Sequence, residues 1–214
     1  MIRAVVFDYG GVLSRDQDKE TFSVMAEIAG VSPEDLAKVY WPGRVAYDLG
    51  SLTGVRYWES SMKKLGITLE KEQIDILIRL DSLSWSQLSP FMLRWAHAVS
   101  LSGRITAICS NIPPEMVRVL FDNMLCSPDS GLPHPLRFDP VITSCSIGIN
   151  KPDPGIYKHL LDKLSLKPHE VLFIDDREDN AEGARALGIS AVVYKSFNSL
   201  MQQVKAIDPS LPVF

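Results

Sequence analysis

Four times in this chain a short apolar run, partly β-branched, stops abruptly at a charged or polar residue. Ala4-Val5-Val6-Phe7 stops at Asp8-Tyr9-Gly10-Gly11, and Ile105-Thr106-Ala107-Ile108-Cys109 stops at Ser110-Asn111. Val171-Leu172-Phe173-Ile174 stops at Asp175-Asp176, and Ala191-Val192-Val193-Tyr194 at Lys195. Pro140-Val141-Ile142-Thr143 is a weaker fifth example. Such runs are too short for buried helices and show no wet face, so each predicts a strand covered on both sides. Helical patterns lie between them. Met116, Val119 and Leu120 share one face of residues 114–121; Ile156, Leu160, Leu161 and Leu164 share one face of 155–164; Glu178 to Leu187 ends at Gly188, where a left-handed residue is wanted. Strands alternating with helices imply βαβ units. The expected fold is therefore α/β, a Rossmann-like parallel sheet with helices on both faces.

Residues 16–88 break that rhythm. Helical segments follow one another there without a strand, near Lys19–Ala29, Ser32–Val39, Gly54–Leu65 and Lys71–Leu83. Ser32 is placed as an N-cap with Pro33 at the first helical position, and Gly66 is a stop signal. An all-helical cap of residues 16–88, inserted into a core of residues 1–15 and 89–214, accounts for this. Ser14–Asp18 and Trp85–Pro90 would be its two hinges.

Composition narrows the function classes. A chain of 214 residues with 46% hydrophobic and 22% charged residues can bury a core without staples. Its net charge of −4 and lack of a basic stripe argue against nucleic acid. Its four histidines lack zinc-ligand spacing. No run of 18 uncharged apolar residues predicts a membrane span, and the apolar run before Asp8 is too short for a signal-peptide core. Cys109, Cys126 and Cys145 are odd in number and scattered, which suits a reducing compartment and predicts a cytoplasmic protein.

In open parallel sheets ligands bind beyond the carboxyl ends of the strands, near the point where strand order reverses. There this chain offers Asp8, Ser110, Asn111, Asp175 and Asp176, with Lys151 after the weaker strand. In this order the pieces Phe7-Asp8-Tyr9-Gly10-Gly11-Val12-Leu13, Cys109-Ser110-Asn111, Asn150-Lys151-Pro152-Asp153-Pro154-Gly155-Ile156-Tyr157 and Phe173-Ile174-Asp175-Asp176-Arg177-Glu178-Asp179-Asn180 resemble the haloacid dehalogenase superfamily of hydrolases. The pattern is most similar to the branch with a small helical cap, which includes sugar phosphatases and the phosphatase domain of soluble epoxide hydrolases. The end of the chain at Val213-Phe214 predicts no second catalytic domain after it.

The resemblance implies a Mg2+-dependent phosphatase acting on a small phosphorylated metabolite. Asp8 would be the nucleophile, forming an acyl phosphate that water hydrolyses. Asp8, Asp176 and the Gly10 carbonyl would hold Mg2+, a cation that favours hard oxygens. Lys151 would supply a fixed positive charge, and Ser110 and Asn111 would contact the phosphate together with Lys151. Asp175 would orient this shell rather than ligate, and Asn180 would stand at its edge. Without neutralisation, phosphate and carboxylate repel by roughly 4 kcal/mol per charge pair at 4 Å with an effective dielectric near 20. The expected state is a monomer or homodimer.

One position departs from the family. Most phosphatases of the superfamily carry an acid two residues after the nucleophile, where it protonates the leaving group; here that residue is Gly10. Losing a positioned acid costs about 10²–10⁴-fold. Three explanations compete: a substrate with a good leaving group, such as a sugar 1-phosphate; a substitute acid such as Asp16 or Asp18; or a weakened protein that binds phosphate ligands or a partner. A 2-haloacid dehalogenase shares the aspartate nucleophile but does not resemble this chain at the paired acids. The aromatic set Tyr40, Trp41, Tyr47 and Trp58 is expected to be core, Cys109 an inert buried thiol, and 125–135 a surface loop.

Overall fold

The computed structural model describes residues 1–120 and 136–214, with the side chains of Val119 and Leu120 excepted. The expected surface loop 125–135, Cys126 and the helical face carried by Val119 and Leu120 lie outside the described residues.

Five parallel strands form one sheet in the order β3-β2-β1-β4-β5: β1 Ala4–Phe7, β2 Ile105–Ser110, β3 Val141–Thr143, β4 Val171–Asp175 and β5 Ser190–Val193. The weak fifth candidate is thus an edge strand. Side chains alternate across the sheet as pleating requires. Val5, Phe7, Ile108, Leu172 and Ile174 pack on one face, under helices α5 (Pro90–Leu101) and α10 (Phe197–Ile207). Ala4, Val6, Ala107, Cys109, Val171 and Phe173 pack on the other, against α8 (Pro154–Leu164) and α9 (Glu178–Arg185). The sheet is buried on both sides, which is why its strands read as unbroken apolar runs.

Helices α5 and α10 go beyond those expected from periodicity. In α5 the apolar residues Met92, Leu93, Trp95, Ala96 and Val99 leave little polar contrast for a period to stand out. Short α6 (Pro114–Leu120) and α7 (Ser144–Ile147) complete the core helices.

Between β1 and β2 lie α1 (Lys19–Ala29), α2 (Pro33–Asp48), α3 (Gly54–Lys63) and α4 (Lys71–Ser84). They enclose a separate apolar cluster of Met25, Leu36, Tyr40, Tyr57, Trp58 and Leu77, among others. The expected helix Ser32–Val39 is too short: α2 runs nine residues further, through Pro42, to Asp48. Proline removes one hydrogen bond and crowds the preceding turn. Burial of Tyr40, Arg44 and Tyr47 on either side of it carries the helix through. The chain segments that enter and leave this helical insertion run side by side. Arg15 N–H donates to the Gln87 carbonyl (2.7 Å), Asp18 N–H to Ser84 (2.8 Å), and Ser89 N–H to Leu13 (2.8 Å). Among the described residues no helix is long and apolar enough to cross a membrane.

Candidate active site

Strand order reverses between β1 and β4, and the polar residues expected to matter converge at that point. Asp8 follows β1, its N–H donating to the Ile174 carbonyl (2.8 Å), which sets it level with Asp175 at the end of β4. Ser110 ends β2 and is buried beside them.

Lys151 reaches this edge from the loop before α8. Its backbone is gripped by one side chain: Asn111 Oδ1 accepts from Lys151 N–H (2.8 Å), and Asn111 Nδ2 donates to the Lys151 carbonyl (2.9 Å). The Lys151 ammonium then meets Asp175 Oδ2 at 2.6 Å, Asp8 Oδ1 at 2.9 Å and the Cys109 carbonyl at 3.0 Å. Three acceptors match its three hydrogens. Lys151 therefore holds the nucleophile candidate itself, and Asn111 holds Lys151.

Asp175 is bonded on both oxygens. Oδ1 accepts from Arg177 N–H and from Asn180 Nδ2, each at 2.9 Å, while Oδ2 takes Lys151. Asn180 is in turn fixed by Tyr157, whose hydroxyl donates to its carbonyl (2.7 Å). Asp176 is half-buried, and ligand oxygens of Asp8, Asp175 and Asp176 lie within 4.8 Å of one another. Three carboxyl groups thus share one ammonium, an excess of acidic groups. Burial pushes the Asp8 carboxyl up to about 7 despite the pull of Lys151, with Asp175 and Asp176 adding to the rise and a Ser110 hydrogen bond opposing it. Burial also raises Asp176. Burial opposes the charge on Lys151, but Asp175 and Asp8 overcome it and hold the ammonium protonated. The buried Cys109 thiol is pushed up to about 12, as an inert thiol should be.

The two glycines after Asp8 are glycines for different reasons. Gly11 adopts φ 69°, and a Cβ there would lie 2.9 Å from Asp176 Oδ2. Gly10 has an ordinary extended backbone (φ −64°, ψ 131°), but a Cβ on it would stand 3.3 Å from the ring of Trp85. A side chain at position 10 would press closely on the indole.

These groups form the floor of a cleft of about 780 Å³, whose walls include Trp41, Arg44, Val45, Asp48, Trp85, Ile112 and Met116. Tyr40, Tyr47 and Trp58 are buried as expected, but Trp41 is not core; it is half exposed at the cleft. Asp16 and Asp18, the candidate substitute acids, line a different cavity of about 800 Å³ beside the entry segment, and Asp18 caps α1 by accepting from Thr21 N–H (2.8 Å). Asp176 borders both cavities. Arg44, Trp41 and Trp85 are the cleft residues that motif reasoning passes over. Arg44 is buried, paired with Asp81 (2.7 Å) and Asp48 (3.0 Å) and stacked over Tyr40 and Tyr47. No short motif marks them; the signal for Trp41 and Arg44 is the length of α2, which the Pro42-Gly43 pair conceals, while Trp85 follows the end of α4.

The model of the family described as haloacid dehalogenase-like hydrolase matches residues 2–188. Mouse bifunctional epoxide hydrolase 2 is 24% identical over 96% of this chain and 39% of its own length; a phosphatase of Mycobacterium tuberculosis is 27% identical over 89% and 86%. (S)-2-haloacid dehalogenase 1 of Pseudomonas is 29% identical over 92% and 86%. The chain spans only 19–39% of the first curated relatives it matches. In fold it is similar to a predicted haloacid dehalogenase-like family hydrolase of Porphyromonas gingivalis (TM-score 0.72, 24% identity, 95% and 98% covered). It is also similar to an enzyme of Bacteroides thetaiotaomicron crystallised with magnesium and inorganic phosphate (TM-score 0.67, 19% identity, 91% and 95% covered). With the family match spanning nearly all of the sheet and every carboxylate at its edge, the chain belongs to the haloacid dehalogenase-like hydrolases.

Proposed function

We propose that this hydrolase is a Mg2+-dependent phosphatase of small phosphorylated metabolites, working through an aspartyl phosphate on Asp8. The observation that carries this reading is the group of three carboxylates, Asp8, Asp175 and Asp176, gathered around a single ammonium. A divalent cation bound by Asp8, Asp176 and the Gly10 carbonyl would offset that excess charge and the charge of a phosphate, and would favour the ionised form of Asp8. The magnesium and phosphate bound to the Bacteroides enzyme support the same assignment.

In this reading Lys151 and Ser110 aim the Asp8 carboxylate, which attacks phosphorus as the ester oxygen departs. Water then cleaves the acyl phosphate, releasing inorganic phosphate and restoring Asp8. Asp175 and Asn180 keep Lys151 and the β4 turn in register, and Asn111 fixes the Lys151 backbone. With glycine at position 10, suitable esters are those that leave without a proton from that position, a sugar 1-phosphate being one. Residues 16–88 would act as a cap over residues 1–15 and 89–214. The protein would be cytoplasmic, monomeric or a homodimer, with no nucleic-acid partner. The paired acids favour this reading over a dehalogenase.

The test is phosphate release from p-nitrophenyl phosphate with Mg2+ and with EDTA. The nitrophenolate needs no general acid, so it isolates the nucleophile and metal. Turnover that EDTA and Asp8→Asn both abolish is expected; activity that survives Asp8→Asn would refute the assignment of the nucleophile.

A further inference from the structure

Two independent features of the cleft bear on the ester it takes. The first is the absence of an acid at position 10. A Cβ at position 10 would sit tightly against Trp85, 3.3 and 3.4 Å from its Cζ3 and Cε3. Of the other cleft carboxylates, Asp153 and Asp179 are hydrogen-bonded and Asp48 stands beside Arg44. Asp48 lies 3.0 Å from Arg44 Nη2, Asp153 accepts from Gly155 N–H (2.7 Å) at the start of α8, and Asp179 lies 2.6 Å from Arg177. The second feature is the apolar part of the wall, Trp41, Val45, Trp85, Ile112 and Met116, which adjoins the polar Arg44, Asp48 and Asn150. Trp41 and Trp85 meet edge to face with ring centroids 6.4 Å apart, and half of Trp41 is open to solvent.

The polar lining, Arg44, Asp48 and Asn150 among it, stands beside these aromatic faces rather than on them. A flat apolar ring would gain both burial and aromatic contact. We propose that the cleft takes aryl phosphates, monoesters of a phenol, with Trp41 and Trp85 selecting the ring. This rests on the phosphatase reading and narrows its substrate class. A phenol ionises near pH 10, whereas an alkanol is close to water at about 15.7, so a phenolate departs without a donor. The Asp8–phosphorus bond forms as the phosphorus–aryloxygen bond breaks. The electron pair leaves with the phenolate, which then takes a proton from solvent, and water returns Asp8 and inorganic phosphate.

The experiment measures kcat/KM for phosphate release from phenyl phosphate, 1-naphthyl phosphate, benzyl phosphate and glucose 1-phosphate, with the Mg2+-loaded protein. The aryl esters are expected to exceed benzyl phosphate and glucose 1-phosphate by about 100-fold or more. Trp41→Ala should cut the ratio of 1-naphthyl to glucose 1-phosphate by about tenfold, a change that intrinsic ester reactivity does not produce. Trp85→Phe should lower it in the same direction. Should the Trp85 variant not fold, Trp41→Ala at its half-exposed position still decides. Glucose 1-phosphate turned over within tenfold of phenyl phosphate, or a ratio untouched by Trp41→Ala, would overturn the inference. Asp8-dependent release from glucose 1-phosphate in that case would leave the phosphatase reading standing, whereas no release from any of the four would remove both.

Discussion

Lys151 and Asp175 face each other across 2.6 Å with neither side chain exposed to solvent, and Asp8 completes the group at 2.9 Å from the same ammonium. A pair so placed costs desolvation on both sides, and its worth shows when one partner is removed. The chain supplies the compensation from fixed backbone: the Cys109 carbonyl for the lysine, Arg177 N–H for the aspartate. Lys151 serves as the common counterion that lets two strand ends carry carboxylates side by side.

Lys151→Met should therefore damage stability as well as turnover. The methionine fills similar volume but leaves Asp8 and Asp175 buried without their cation, a loss of about 3–5 kcal/mol by urea denaturation. Adding Asp175→Asn to that variant should recover part of the stability, because one uncompensated charge is gone, but not activity. Equal stability of the single and double variants would show that the pair is not coupled.

Gly10→Asp tests why the family acid is missing. Its Cβ would crowd the Trp85 ring at 3.3 Å, so the single variant should lose about 1–3 kcal/mol through overpacking. In Gly10→Asp with Trp85→Ala the space is free, and the new carboxyl stands where it can protonate a leaving oxygen. Turnover of an alkyl phosphate should rise about 100-fold over Trp85→Ala alone. An unchanged rate would mean that space at position 10 is not what excludes the acid.

What the sequence made readable follows from repetition and what it hid follows from contact. Four of the strands and the carboxyl-edge residues announce themselves, because a doubly buried strand must be continuously apolar and its end must turn polar, whereas the three-residue edge strand β3 gives a weaker signal. The function of Asn111 as the grip on Lys151 depends on a loop 40 positions away, and spacing carries no trace of it. Likewise α2 outlasts Pro42 only because Tyr40, Arg44 and Tyr47 are buried against α3 and α4, a tertiary gain that local propensity omits. With α2 cut short, Trp41 and Arg44 lose their place on the cleft, and the cleft's apolar character goes unread.

Gly11→Ala addresses the turn that brings Asp8 and Asp176 together. Alanine at φ 69° is strained by about 1 kcal/mol, and its methyl would stand 2.9 Å from Asp176 Oδ2. The methyl can be accommodated only by moving that carboxylate. The Mg2+ concentration for half-maximal phosphatase activity should rise about tenfold, the scale seen when a ligand's support is disturbed. A normal Mg2+ requirement with reduced stability would confine Gly11 to a backbone role.

Asp48 should make the protein less stable as pH rises through mild acidity. Burial pushes its carboxyl up to about 6; Arg44 pulls it down, but that guanidinium is shared with Asp81, whose charge pushes Asp48 up again. In the unfolded chain the same carboxyl titrates near 3.9. Between about pH 4 and 6 the folded protein holds a proton that the unfolded chain has released, so raising the pH across this window draws the equilibrium toward unfolding. The effect of this one group is on the order of 2–3 kcal/mol at most. Asp48→Asn carries no proton to lose and lacks this dependence. Urea midpoints of both proteins at pH 4.5 and pH 7 should show the wild type gaining on the variant at the lower pH. A difference that stays constant between the two would mean that Arg44 keeps Asp48 ionised throughout, with the guanidinium adequate for both of its carboxylates.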